Sequence, residues 1–168
     1  MTNTTTAWYL VHTKPRKEDV ARIHLERQGY VCFYPTITVE KIRRGKLLKV
    51  EEALFPRYVF IQLDSSLDAP SWAPIRSTQG VSTLVRFGND PARVDADIIE
   101  SLQKQPASTE ALFKTGETVV VTEGAFAGLN AIYQTQDGER RSLILLEIMH
   151  KSVLVKVDTQ GLREMKYD

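Results

Sequence analysis

The sequence predicts an α+β chain of 168 residues. An N-terminal α/β sandwich, an antiparallel sheet with its helices packed on one side, precedes a small second domain patterned as a β-barrel. Three observations carry this reading. Apolar and aromatic runs alternate with helical periodicity through residue 104, the order of a sheet with flanking helices. The stretch Gln105-Pro106-Ala107-Ser108-Thr109-Glu110-Ala111 is small, polar and proline-bearing, and reads as a linker. Beyond it, a β-branched and glycine-rich segment from Gly116 to Gly128 and an Asp137-Gly138 turn signal read as short strands. The implied boundaries are 1–104 for the first domain, 105–113 for the linker and 114–168 for the second.

Trp8-Tyr9-Leu10-Val11-His12-Thr13 is a first strand, punctuated by Lys14-Pro15. Pro15 suits the first turn of a helix, where its missing N–H costs nothing. Val20, Ile23, His24 and Arg27 follow at helical spacing, and Gly29 supplies a left-handed stop after Gln28. Tyr30 to Tyr34 is a second strand. Ile37 to Ile42 then runs into a hairpin tip, Arg43-Arg44-Gly45-Lys46, with a return strand from Leu54 to Leu63 after Glu51-Glu52. Alternation in that strand puts Tyr58 and Phe60 on one face, Val59 and Ile61 on the other. A helical turn is expected near Trp72, a strand over 81–87, and a short helix from Asp95 to Lys104.

Net charge is only +1, yet the charges are segregated. Residues 14–49 hold ten Lys or Arg against four Asp or Glu, whereas 50–168 hold twelve against seventeen. Such a basic segment followed by an acidic remainder is a nucleic-acid footprint that the overall sum hides. Lys14, Arg16, Lys17, Arg27, Arg43, Arg44 and Lys46 can neutralise phosphates, while His24 and Gln28, one helical turn apart, can meet a base. Phe55, Tyr58 and Phe60, with Ile99 and Leu102 from the following helix, can form an exposed apolar patch of the kind that marks a partner site; their other role is to fill the core.

Other chemistries find little support. The single cysteine, Cys32, excludes an internal disulfide and a cysteine zinc site, and reads as an inert mid-strand thiol. His12, His24 and His150 show no metal-ligand spacing, and the Gly124–Gly128 spacing lacks the Lys-Ser/Thr ending of a phosphate loop. No cofactor and no enzyme activity are expected. No run of about 18 apolar residues exists to span a membrane, and the polar threonine tract at the start carries no secretory signal, so a cytoplasmic location is expected.

Two motifs in order, Leu54-Phe55-Pro56-Arg57-Tyr58-Val59-Phe60 and Gly116 to Gly128, make the chain resemble the NusG family of transcription elongation factors. The first is similar to the signature strand of that family's N-terminal (NGN) domain. The second resembles its KOW motif, with Gly116, Val119, Val121, Gly124, Phe126 and Gly128 at the apolar and turn positions. Within the family, residues 36–46, 85–88 and 122–126 look most like the specialised RfaH branch. That resemblance implies an operon-specific antitermination factor recruited to paused RNA polymerase by single-stranded non-template DNA, suppressing pausing and Rho-dependent termination. It implies a DNA face made by Lys14, Arg16, Lys17, His24, Arg27, Gln28, Arg43, Arg44, Thr78 and Gln79. Where the branch carries Thr-Arg before a glycine, this chain has Thr78-Gln79-Gly80, exchanging a charge for an amide that can bond a base edge. It further implies that Phe55, Tyr58, Phe60, Ile99 and Leu102 grip the polymerase clamp helices, and that the KOW domain can recruit a ribosomal small-subunit protein. Ser71-Trp72-Ala73 falls where the branch has a His-Thr-Thr polymerase contact, which is not carried over. A monomer is expected. The alternatives are a general NusG-like elongation factor and, from another class, a ribosome-associated KOW protein binding folded RNA.

The second domain carries two incompatible signals. Thr118 to Thr122 with Gly124 and Gly128 starts about 4–5 kcal/mol behind as a helix. Residues 140–149 are rich in helix formers, and Leu145, Met149, Val153 and Val157 form a stripe every four residues. Burying on the order of 200 Å² of that stripe offsets the deficit at about 25 cal/mol/Å². The resemblance implies the same choice: a KOW barrel by pattern, but a docked α-helical hairpin in an autoinhibited full-length state, with Glu52 and Arg141 as the interdomain ion pair.

Overall fold

Strand β1 (Thr6–Thr13) has an unbroken apolar run, and Tyr9, Leu10 and Val11 are all buried. A strand with consecutive buried residues must be covered on both faces. β1 is indeed the centre of an antiparallel sheet. It pairs with β5 (Tyr58–Asp64) from Thr6↔Asp64 to His12↔Tyr58, and on its other side with β6 (Val81–Leu84) and β9 (Arg93–Val94). β2 (Val31–Phe33) adds the edge beside β5. The computed structural model describes residues 5–104 and 129–165, with side chains as far as Lys151 except that of Asn130. The linker 105–113 and the motif residues Gly116, Val119, Val121, Gly124, Phe126 and Gly128 lie outside the described residues, as do the side chains of Val153 and Val157.

Alternation along the strands sorts the core into two layers. Tyr9, Val11, Ile61 and Leu63 pack with Ala21 and Leu25 of α1 (Glu18–Arg27) and Ile75 of α2 (Ala73–Arg76). Leu10, Phe60 and Val94 face the other way, toward Ile98, Ile99 and Leu102 of α3 (Ala96–Lys104). That second layer also contains Leu129, Ile132 and Tyr133 of α4 (Leu129–Gln134) and Leu145, Ile148 and Met149 of α5 (Gly138–Met165). Helices therefore cover both faces, not the one side expected from element order. The double-sided strands β1 and β5 require it.

Several boundaries also move. Pro15 is not in the helix but in the turn before it, where Arg16 has φ 61° and the Lys17 N–H donates to Lys14 O at 3.0 Å. Glu18 and Asp19 complement the positive end of α1. Its buried face is Glu18, Ala21 and Leu25, leaving Val20 and Ile23 half-buried. Gly80 explains the rotation: a Cβ there would lie 2.9 Å from Ala21 N, so the 77–80 turn presses directly on the helix. Gly29, at φ 96°, ends α1 as expected.

The hairpin is longer and separate from the sheet. β3 (Thr36–Arg43) pairs with β4 (Lys46–Ala53) from Thr36↔Ala53 to Arg43↔Lys46. Arg44 and Gly45, with φ 54° and 75°, make the two-residue turn whose twist matches the strands. The return strand thus begins at Lys46, and the expected continuous strand over 54–63 is interrupted. Pro56 and the left-handed Arg57 (φ 72°) turn the chain, with the Tyr58 N–H donating to Phe55 O at 3.1 Å. The strand expected over 81–87 also breaks, after Leu84, into β7 (Arg86–Phe87) paired with β8 (Asp90–Pro91).

Asp137-Gly138 does not make a hairpin turn. Asp137 starts α5 instead: its Oδ1 accepts the Glu139 N–H and its carbonyl the Arg141 N–H, each at 3.0 Å. A short acidic side chain suits a helix N-cap as well as a turn, so the dipeptide fits both.

Candidate functional site

The first candidate surface is built where α1 meets the 77–80 turn. The Lys14 N–H donates to Gly80 O at 2.9 Å, which anchors the basic turn Lys14–Lys17 to that loop. Lys14, Arg16, Lys17 and Arg27 are exposed and have no ion-pair partner among the described residues. Arg22 differs: it bonds Asp19 and, at 2.7 Å, Glu26, which raise its pKa chiefly through the Asp19 hydrogen bond. Four cations are thereby left without an ion pair among the described residues, and one is spent on the helix.

Gln28 and Thr78 take different parts from those expected. Gln28 Nε2 donates both to His24 O at 3.1 Å and to Thr78 Oγ1 at 2.8 Å. With both amide hydrogens committed, Gln28 offers only its carbonyl oxygen to a ligand. Thr78 is buried, and its hydroxyl donates to Pro74 O at 2.9 Å while accepting from Gln28. It does not face solvent and positions Gln28 instead. Gln79 beside it is exposed, and His24 is half-buried.

Arg43, Arg44 and Lys46 are carried by a different element. They sit at the distal end of the β3–β4 hairpin, and no hydrogen bond, ion pair or ring contact among the described residues joins them to α1 or the 77–80 turn. The basic segment read as one footprint is thus carried by two elements, the Lys14–Lys17 turn with α1 and the hairpin.

The apolar face is the second candidate, and it is covered. Phe55, Phe60, Ile99 and Leu102 are all at most 4% exposed, and Tyr58 is half-buried. Phe55 meets Phe60 edge-on at 5.9 Å, and Phe60 stacks on Phe33 at 5.7 Å. The expected exposed patch is absent because Leu129, Ile132, Tyr133, Leu145, Ile148 and Met149 complete the same cluster. Leu145 and Met149 were legible from their spacing. Ile148, three residues after Leu145, widens the same stripe.

A polar clasp holds one end of this cover. Arg141 is fully buried, and all its hydrogen bonds find acceptors. Nε donates to Leu54 O at 2.8 Å, Nη1 to Thr135 O and Gln136 O at 2.9 Å, and Nη2 to Glu52 Oε1 at 2.8 Å and Ala53 O at 3.2 Å. Five bonds match the five N–H groups of a guanidinium, the condition for burying that charge. Glu52 gives its other oxygen to Lys41 Nζ at 2.9 Å. Burial pushes the Glu52 carboxyl up, but the hydrogen bonds from Lys41 and Arg141 outweigh it and hold the pKa below the usual range. Ser142 Oγ donates to Pro56 O at 3.1 Å. Gly138 approaches so closely that a Cβ would lie 2.6 Å from Pro56 Cγ. Lys41 and Ser142 carried no distinguishing signal in the sequence, and Gly138 read only as a turn residue, since each role depends on a contact between distant segments.

Among the described residues the remaining titratable groups lie apart from both surfaces or are partly buried. Burial pushes the Cys32 thiol up to about 12, so it is protonated at neutral pH. His12 lies 5.1 Å from the Tyr58 ring, and burial, then Arg57, lowers its pKa. Among the described residues no cluster of metal-ligating side chains occurs, and no helix is long and apolar enough to cross a membrane.

Comparison with known proteins bears on the family. A family model described as "NusG: Transcription termination factor nusG" matches residues 6–103, the span that holds the sheet, α1 and the hairpin. The "Transcription termination/antitermination protein NusG" of Helicobacter pylori is 32% identical, over 87% of this chain and 96% of the relative. The protein of the same name from Rickettsia bellii is 29% identical over 83% and 79%, and that from Thermus thermophilus 27% over 90% and 94%. A solved structure, "Domain interaction in Thermotoga maritima NusG", aligns at 27% identity over 58% of this chain and 55% of that one, with a TM-score of 0.38. These relatives carry the general name, not that of the RfaH branch.

Proposed function

The chain belongs to the NusG family of transcription termination/antitermination factors, and from that premise we propose that it regulates elongation by binding RNA polymerase through the face that α4 and α5 cover. Phe55, Tyr58, Phe60, Ile99 and Leu102 are the polymerase-contacting residues, with the clamp helices as their target. The observation that carries this is the shared core: a partner site of this composition is sealed by side chains reaching it from beyond residue 128. Binding then requires the cover to leave, which makes the closed form autoinhibited. The Lys14–Lys17 turn, His24, Arg27, Gln28 and Gln79 form a face for single-stranded non-template DNA, with Thr78 holding Gln28 in place.

Two modes of action differ in what opens the cover. The names of the relatives favour a general elongation factor, which engages polymerase on any template. The operon-specific mode is favoured by a different observation, the Arg141 clasp, because a factor locked by five hydrogen bonds needs a recruiting signal. The second domain, once released, is free to form the KOW barrel and meet a ribosomal small-subunit protein. The protein acts where polymerase works, in the cytoplasm, as a monomer in its closed form.

Single-round transcription with the intact chain separates the modes. Reduced pausing on every template supports the general factor, and reduced pausing only where one non-template element is exposed supports the specific one. Failure of Arg141→Ala to increase polymerase capture contradicts the closed form altogether.

A further inference from the structure

We propose that the cavity at the Thr6–Asp64 end of the sheet is a binding site for an organic cation, an alkylguanidinium or alkylammonium group. The cavity exists because β2 is short. It pairs with β5 only from Val31↔Gln62 to Phe33↔Phe60, so Leu63 and Asp64 have no strand beside them on that edge. Tyr30 and Trp72 flank the gap and leave a space of about 210 Å³. The Tyr30 hydroxyl donates to Ser71 O at 3.1 Å, and the Trp72 indole N–H to Asp64 O at 3.0 Å. Trp72 also meets Tyr9 edge-on, with ring centroids 4.9 Å apart. The walls are thus held in place by the protein's own contacts.

The lining decides the sign of the ligand. Asp64 carries the only charge among the described residues around the cavity, and no Lys, Arg or His lines it. Asp64 Oδ1 accepts from the Thr5 hydroxyl and, at 2.9 Å, from the Ser66 N–H. Those bonds hold its carboxyl below the usual range, so it is ionised at neutral pH. No ion pair among the described residues neutralises it. Tyr30 and Trp72 direct their donors at backbone carbonyls, which leaves their rings for a ligand to meet. Aromatic rings beside an unneutralised carboxylate favour a cation over an anion. Size narrows the choice further. Pockets for drug-sized ligands start at about 300 Å³, so this one suits a single charged head on a short aliphatic stem. Val31 and Leu63 offer that stem an apolar wall. The cavity lies outside both candidate surfaces. Leu63 and Trp72 belong to the α1-side layer, not to the one that α4 and α5 seal, and the basic turn at Lys14 is about 25 Å away along β1. A free small molecule and an arginine or lysine side chain of another protein present the same group.

The test titrates the isotope-labelled full chain with butylguanidinium and with butylurea, its uncharged isostere, and follows amide chemical shifts. Saturable shifts at Tyr30, Val31, Leu63 and Asp64 are expected with the cation and none with the urea. Asp64→Asn keeps an acceptor for Thr5 and Ser66, and should weaken binding about fivefold. Trp72→Leu should weaken it by about two- to fivefold. A blocked arginine tripeptide is the second arm. Tighter binding of the tripeptide than of butylguanidinium assigns the site to a protein side chain, and weaker binding assigns it to a free cation. Equal shifts with butylurea, no shifts at these four residues, or undiminished binding by Asp64→Asn would each overturn the proposal. None of the lining residues belongs to the DNA or polymerase faces, so failure of either of those assignments leaves this result interpretable.

Discussion

The two faces of the central sheet are sealed in different ways. On one, α1 follows β1 after a four-residue turn and buries Ala21 and Leu25 against Tyr9, Val11 and Ile61. On the other, part of the cover comes from α4 and α5, which are far away in sequence, and a polar clasp around Arg141 sits at its margin. A helix joined by a short turn has almost no loop-closure cost and cannot leave without unfolding the domain. A distant hairpin bears that cost anew and needs extra contacts to stay. On the proposed function, the first face is structural and the second detachable. A detachable cover over an aromatic patch is what a regulated binding site requires.

The sharpest way to break the contrast is to cut the clasp. Arg141→Ala strips the partner from Glu52 and leaves four carbonyls at the interface without their donor, a loss of about 3–5 kcal/mol in docking. Limited proteolysis should then release 129–168 while residues 6–104 stay protected. Next come paired core truncations. Leu25→Ala and Leu145→Ala remove the same atoms from fully buried positions on opposite faces, each costing about 2–5 kcal/mol. The first should lower the melting temperature of the whole domain. The second should raise polymerase binding and leave the domain's own melting nearly unchanged.

Much of this architecture was legible in residues whose role is local. Gly29 ending α1 and the Arg43–Lys46 tip depend on backbone geometry that a few residues dictate. The Leu145 and Met149 stripe is likewise a matter of spacing. The Glu52–Arg141 pair was legible only by resemblance, because no local rule joins residues so far apart. What stayed hidden depends on tertiary contact. Nothing near Val20 and Ile23 says that Gly80 will press on Ala21 and turn the helix. Thr78 reads as an exposed hydroxyl until Pro74 and Gln28 enclose it. Asp137-Gly138 satisfies turn and cap alike, and only the docking of α5 decides between them.

Smaller effects sharpen the comparison. Gly138→Ala places a methyl against Pro56 and should weaken docking by about 1–3 kcal/mol, despite better intrinsic helix propensity. Polymerase capture should rise in the intact chain, and the helicity of an isolated 129–168 peptide should not fall. Acid tests the same clasp. Lys41 and then Arg141 hold the Glu52 carboxyl below its usual range, and only the Arg141 share depends on docking; that share is complete above the undocked pKa and lost as pH falls through the lower docked value. Proteolytic release of the cover should therefore increase on acidification. Glu52→Gln should abolish that dependence. Smallest is Thr78→Val, at about 1 kcal/mol. It frees Gln28 and should relax base preference in single-strand binding while leaving the salt slope unchanged.

Native-state hydrogen exchange compares the two faces in one sample. Amides of α5 from 142 to 151 are expected to exchange through an opening of lower free energy than those of α1 and β5, with Arg141→Ala lowering only the former. If α5 and α1 exchanged together, at the free energy of global unfolding, the cover would be a fixed part of the domain and not a detachable one.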